Sequence, residues 1–308
     1  MTGLFTGLSA FPLTPMTEQR IDEAAFTGLV ARLHQANVDS IGALGSTGSY
    51  AYLTAAERHR VAELAVQAAD GTPVMIGIGA LRTAEVLRHA ENAQNAGASA
   101  VLLPPMSYQP LTDDEVYQLY ADVTAELSVP LCVYDYPGTT HFSFSDELHS
   151  RIAALPNVAS IKIPPTLADP AAARERVDRL RRVIPDTVAI GVSGDASAAG
   201  GLLAGADLWY SVLGGVWPEP CLALTRAAQR GRSAEVDPSA NGGNAINHVV
   251  SAPDVTAGRR RKFVVRRETG GAYARSGQMK VGRSRGSSTG IGADRAIRGH
   301  PPARGAAL

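Results

Sequence analysis

The sequence predicts a parallel (β/α)8 barrel over residues 1–232, followed by a disordered or poorly ordered basic tail over residues 233–308. Three observations lead there. Eight short apolar runs alternate with segments of helical period and recur about every 30 residues, the repeat of one strand plus one helix. Two of the helical segments open on a Thr followed three residues later by Glu, the spacing of a capping box. The charge also divides sharply. Residues 1–237 carry 16 basic and 26 acidic side chains, whereas residues 238–308 carry 13 and 3, so a net zero hides parts of about −10 and +10.

The first strand lies in "LFTGLSAFPLTP" near the start. That stretch has no basic leader and is broken by Pro12 and Pro15, so it reads as neither a signal peptide nor a membrane span. Phe26, Leu29, Val30 and Leu33 follow at i, i+3, i+4 and i+7, one apolar face of a helix. The second run is "IGALGS", 41–46, and Thr54 with Glu57 starts the next helix. "VMIGIGA", 74–80, and "AVLLPP", 100–105, are the third and fourth runs. Thr112 with Glu115 then opens a helix whose apolar face is Val116, Leu119, Tyr120 and Val123. The remaining runs are "LCVYDYP", 131–137, "ASIKIP", 159–164, "VAIGVSG", 188–194, and "LWYSVLG", 208–214, with "PEPCLALTRAAQR", 218–230, as the closing helix. A doubly wound open sheet is the competing arrangement, but no G-x-G-x-x-G opens a helix after the first strand.

Cys132 and Cys221 stand alone in apolar surroundings, which suits reduced core thiols in a cytoplasmic protein better than a disulfide or a metal site. No C-x-x-C or H-E-x-x-H occurs, and neither a metal nor an organic cofactor is expected. From Pro238 onward there are 12 glycines and no leucine before Leu308, too little apolar surface to offset the entropy of ordering.

In a barrel of this kind, side chains at the C-terminal strand ends face the site. That rule selects Ser46 and Thr47 after the second strand, Tyr134 on the fifth, Lys162 on the sixth, and Ser193, Gly194 and Asp195 after the seventh. Lys162 is singular: up to Asp237 the chain has 15 arginines and this one lysine, set in the apolar run "ASIKIPP". A guanidinium keeps its proton, whereas a buried ammonium can lose one and become a nucleophile, so imine chemistry needs Lys and not Arg. A lysine paired with a nearby carboxylate is the plainer alternative. "GSTGS", 45–49, offers backbone N–H groups and hydroxyls to a small anion, or is simply a tight turn. Tyr134, in "VYDYPGT", is either a proton carrier or an aromatic that packs the barrel.

Taken together, G-S-T-G at Gly45 to Gly48, Y-x-x-P at Tyr134 to Pro137, I-K at Ile161 and Lys162, and S-G-D at Ser193 to Asp195 resemble the dihydrodipicolinate synthase and N-acetylneuraminate lyase family of pyruvate-dependent class I aldolases. The resemblance covers about residues 4 to 232. It implies a TIM barrel in which Lys162 forms a Schiff base with pyruvate, Gly45, Ser46 and Thr47 hold the pyruvate carboxylate, and Tyr134 relays protons with Ser46 beside it. Gly194 and Asp195 are expected to contact substrate, and "PPMSYQP" puts Ser107 or Tyr108 where the synthase places a relay tyrosine. A homo-oligomer, in the family a tetramer, is also implied.

The departures bear on substrate. Ser49 stands where the family has Glu, and His141 where it has Gly. Thr139 stands where the synthase has the arginine that binds the aldehyde partner's carboxylate. The expectation is therefore an aldolase or lyase acting on pyruvate plus an aldehyde, or on a 2-keto-3-deoxy acid. The alternatives are 4-hydroxy-tetrahydrodipicolinate synthase proper and a barrel that binds a keto acid without turning it over. The family's C-terminal helical domain has no counterpart in the tail. Its Arg, Gly, Ala, Ser and Pro are what a GC-rich gene yields out of frame, so a frameshift near codons 232 to 240 is expected, with a nucleic-acid-binding or membrane-binding arm as the rival.

Overall fold

The computed structural model describes residues 4–17, 20–166 and 169–231; the tail expected over 233–308 lies outside the described residues. Eight parallel strands close into one barrel in sequence order: Gly7–Ala10 (β1), Ser40–Ala43 (β2), Val74–Gly77 (β3), Ala100–Leu103 (β4), Leu131–Tyr134 (β5), Val158–Ile163 (β6), Ala189–Ser193 (β7) and Leu208–Ser211 (β8). The helices are Glu23–Gln35 (α1), Ala55–Ala68 (α2), Thr83–Asn95 (α3), Asp113–Ala125 (α4), Pro137–Thr140 (α5), Asp146–Ala153 (α6), Pro170–Arg181 (α7), Ala198–Leu203 (α8) and Pro218–Gln229 (α9).

The helix starts follow the sequence. Thr54 with Glu57 and Thr112 with Glu115 form complete capping boxes at α2 and α4. Asp22, Ser145 and Asp169 cap α1, α6 and α7 through their side chains. Phe26, Val30 and Leu33 on α1, and Val116, Tyr120 and Val123 on α4, are buried against the barrel.

The apolar runs are continuous because both faces of every strand are buried. Alternate residues turn outward to the helices, as Leu131 and Val133 do on β5 and Ile161 and Ile163 on β6. The others turn inward, where Phe11, Met75, Leu102, Cys132, Tyr134, Leu208 and Tyr210 fill the barrel. Tyr210 meets Phe11 edge to face at 6.0 Å, and its hydroxyl bonds Ser160 at 2.7 Å and the Cys132 thiol at 3.2 Å. Gly191 makes room for it, since a Cβ there would lie 2.2 Å from the Tyr210 ring. At the opposite end, Asp39 accepts from the Leu8 N–H and from both terminal nitrogens of Arg226, tying α9 to the start of the sheet.

The strands stop short of the apolar runs that announce them. "IGALGS" leaves the sheet after Ala43, where Leu44 takes a left-handed φ of 57°, and "LCVYDYP" leaves after Tyr134. The run ends become the rim that carries the site.

Candidate active site

Lys162 lies on β6 directly beside Tyr134 of β5, and its side chain is 7 % exposed. Its Nζ sits 4.2 Å from the centroid of the Tyr134 ring, 5.5 Å from that of Tyr136 and 6.0 Å from that of Phe11. The ion pairs among the described residues all involve other cations. The plainer reading of Lys162, a strand-end lysine neutralised by a carboxylate, finds no partner among the ion pairs of the described residues. The side chain lies instead among aromatic faces, which attract a cation through the ring quadrupole.

Tyr134 is buried, and its hydroxyl lies 3.0 Å from Ser46 Oγ. The loop that presents Ser46 is strained. Leu44 and Ser49, both non-glycine, adopt φ of 57° at either end of it, a conformation costing roughly 1–2 kcal/mol each. The Leu44 carbonyl occupies the space a Cβ on Gly77 would need, at 1.9 Å, so β3 must carry glycine there for the loop to lie down. Gly45 packs on the Phe11 ring, Ser46 is exposed at the mouth and Thr47 is half-buried.

Arg58 of α2 supports this loop from behind. It is 5 % exposed, and it donates to the carbonyls of Gly77 at 2.9 Å and Gly79 at 2.8 Å. Its guanidinium also lies 5.2 Å from the centroid of the Tyr50 ring, just past the loop. Burial pushes it down to about 10.

The other expected residues divide. Ser193 donates to the Ile163 carbonyl at 2.6 Å, locking β7 to the residue after Lys162. Gly194 follows with φ 83°, and a Cβ there would meet Pro165 at 2.5 Å. The Asp195 carboxylate accepts from Ser211 Oγ and from the N–H groups of Val212 and Leu213, so it braces the β7 loop against the β8 loop. Tyr108 is 92 % exposed and touches neither Lys162 nor Tyr134 among the contacts the structure shows, while Ser107 is half-buried. No group of three His, Cys, Asp or Glu side chains suited to a metal occurs among the described residues.

Sequence reasoning passed over Phe11, Tyr136, Arg58 and the buried pair of Asp135 with His149, whose Oδ2 and Nε2 lie 3.3 Å apart. Tyr136 was the accessible one. It stands two residues after Tyr134, and strand alternation puts i and i+2 on one face.

Residues 4–255 match the Dihydrodipicolinate synthetase family. A 4-hydroxy-tetrahydrodipicolinate synthase from Phenylobacterium zucineum is 32% identical over 230 residues, covering 74% of this chain and 76% of the relative. A solved dihydrodipicolinate synthase from Agrobacterium tumefaciens is 49% identical with a TM-score of 0.73, covering 75% of this chain and 78% of the other. One from Acinetobacter baumannii, solved in complex with pyruvate, is 26% identical with a TM-score of 0.71, covering 80% and 82%.

Proposed function

The chain belongs to the dihydrodipicolinate synthetase family of pyruvate-dependent class I aldolases and is a lyase, and from that premise we propose that Lys162 forms the Schiff base, joining pyruvate to an aldehyde or cleaving a 2-keto-3-deoxy acid. The observation that carries this reading is the convergence of the lone barrel lysine with Tyr134 and Ser46, one hydrogen bond apart.

In this reading the Lys162 amine attacks the keto carbon of pyruvate, and water leaves to give an iminium that draws electrons from the methyl carbon. Loss of a methyl proton gives the enamine. The enamine carbon bonds to the aldehyde carbon, and the aldehyde oxygen takes up the proton. Hydrolysis of the new iminium frees the product and restores the amine. Tyr134 carries protons in these steps, and the Ser46 hydroxyl, 3.0 Å away, takes part in the relay. The backbone N–H groups and hydroxyls of Ser46 and Thr47 hold the pyruvate carboxylate, as a loop of this kind suits an anion. No step calls for a metal or an organic cofactor.

Thr139, in the place of an arginine, disfavours the synthase reaction proper, since a bidentate carboxylate contact is missing. Tyr52, Leu81 and Tyr108, on the loops after β2, β3 and β4, are exposed at 75%, 63% and 92%. Large apolar side chains exposed on loops at the same end of the barrel suit a homo-oligomer. Tyr108, exposed and without a contact to Lys162 or Tyr134, would then serve a neighbouring copy or the interface itself. The two cysteines are free and buried, and no described helix is long and apolar enough to cross a membrane; both facts suit a cytoplasmic enzyme of small-molecule substrates.

Turnover tests the reading. The purified protein should consume pyruvate in the presence of an aldehyde, or release pyruvate from a 2-keto-3-deoxy acid. Binding of pyruvate without turnover of either kind would leave a keto-acid-binding barrel.

A further inference from the structure

Tyr136 is the N-cap residue of α5. Its carbonyl accepts from the N–H groups of Thr139 and Thr140 at 2.9 and 3.1 Å, and from the Thr140 hydroxyl at 3.2 Å. Its ring stacks on Tyr134 at 6.3 Å with 20° between planes, and the ring edge lies where Gly138 has no side chain: a Cβ there would be 3.1 Å away. The backbone and one ring face are therefore fixed, and Lys162 Nζ is 5.5 Å from the ring centroid. An adduct on Lys162 grows away from Nζ by one bond to the keto carbon and one more to the carbon that attacks the aldehyde. The aldehyde must come within van der Waals reach of that carbon, and this brings it into the neighbourhood of the Tyr136 ring.

The loops after β4 and β5 carry no basic side chain other than His141. Between Arg88 and Arg151 the chain has no arginine or lysine, so the loops after β4 and β5 offer none to a second carboxylate. An incoming aldehyde finds stacked aromatic rings instead. Such rings favour a planar π system, by about 0.5–1.5 kcal/mol per pair beyond simple burial.

We propose that Tyr136 is a specificity-determining residue that selects an uncharged, planar conjugated aldehyde, an aromatic aldehyde above all, as the partner of pyruvate. This rests on Lys162 being the Schiff-base residue. The step balances without redox change: the methyl carbon of pyruvate and the aldehyde carbon form one bond, the aldehyde oxygen gains the proton that the methyl carbon lost, and the product is a 4-aryl-4-hydroxy-2-oxo acid. The reverse cleavage regenerates both partners.

The test compares benzaldehyde with cyclohexanecarboxaldehyde, alike in size but not planar, in the wild type, Tyr136→Phe and Tyr136→Leu. Borohydride-reduced pyruvyl adduct is measured in each protein as a separate report on the Schiff-base step. The wild type should favour benzaldehyde in kcat/KM, Tyr136→Phe should keep that preference, and Tyr136→Leu should lower the ratio by about 2- to 12-fold, the stacking energy expressed as a rate ratio. If the adduct forms but the ratio is the same in Tyr136→Leu, or if the wild type forms the adduct and prefers the cyclohexyl aldehyde or uses neither, the assignment of Tyr136 is overturned while the Schiff-base reading stands. Absence of adduct in the wild type overturns that reading, and this proposal with it. If Tyr136→Leu alone forms no adduct, Tyr136→Met supplies the comparison with the π face removed.

Discussion

The hydroxyl oxygens of Ser46 and Tyr134 lie 3.0 Å apart, one on the loop after β2 and the other at the end of β5. The contact joins the expected pyruvate-carboxylate loop to the expected proton carrier, with Lys162 Nζ against the face of the Tyr134 ring. On the proposed roles, removing either hydroxyl should affect binding and proton transfer differently.

Tyr134→Phe keeps the ring beside Lys162 and removes only the hydroxyl. It should still bind pyruvate but turn over about 10² to 10⁴ more slowly, the usual worth of a positioned acid–base group. Ser46→Ala should cost less in turnover and more in pyruvate KM. Unchanged turnover in Tyr134→Phe, measured in steady state, would return Tyr134 to a packing role.

Arg58→Met should destabilise the protein by about 2–5 kcal/mol, since it strips hydrogen bonds from the Gly77 and Gly79 carbonyls in a buried place. Urea unfolding would read this as a lower midpoint with an unchanged slope. Because those carbonyls underlie the strained loop, pyruvate KM should rise as well. An effect below about 0.5 kcal/mol would mean that water replaces the guanidinium.

His89, buried and beside the Arg58 charge, is pushed down to about 4. The folded state therefore favours the neutral ring, and below the ordinary histidine range the unfolded state binds a proton that the folded state refuses. Stability should fall as pH drops from about 6.5 toward 4, with the unfolded chain holding more protons in that window. His89→Gln should flatten this slope in urea midpoints measured across it. A slope identical to that of the wild type would assign the acid sensitivity to other groups.

The fold was legible because a barrel strand is buried on both faces. "AVLLPP" and "LCVYDYP" are apolar without alternation, and two threonines set to cap α2 and α4 do so. Lys162 was legible by contrast, as a lysine in a chain of arginines. What stayed hidden depends on contacts distant in sequence. Leu44 is left-handed because its carbonyl fits against Gly77, and nothing local announces it. Arg58 sits in "AERHR", which reads as a solvated helix face until β3 supplies two carbonyls for it. Tyr108 occupies a motif position that the fold leaves exposed, which its place in the sequence does not announce.

The tail prediction concerns the gene. The family match ends at residue 255, and the chain beyond Asp237 is basic and almost free of leucine. Re-reading the coding DNA in the other two frames from between codons 232 and 240 should reveal a Leu-rich segment of helical period. Low-complexity sequence in both frames would favour a native basic arm, and steep salt dependence of DNA binding would then support a nucleic-acid role.

Thr139→Arg should create the missing clamp. A carboxylate on the aldehyde should bring the wild type little or no gain in kcat/KM, and the variant a clear one. A wild-type preference above about 10³ for aspartate semialdehyde, equivalent to about 4 kcal/mol, would show that another residue already binds that carboxylate.

The most direct measurement is reductive trapping. Incubation of the protein with pyruvate and borohydride, followed by peptide mass analysis, should show one reduced pyruvyl group on the peptide carrying Lys162, and none in Lys162→Ala. An adduct confined to another lysine, or no adduct under conditions that label a related synthase, would contradict the assignment of Lys162 as the Schiff-base residue.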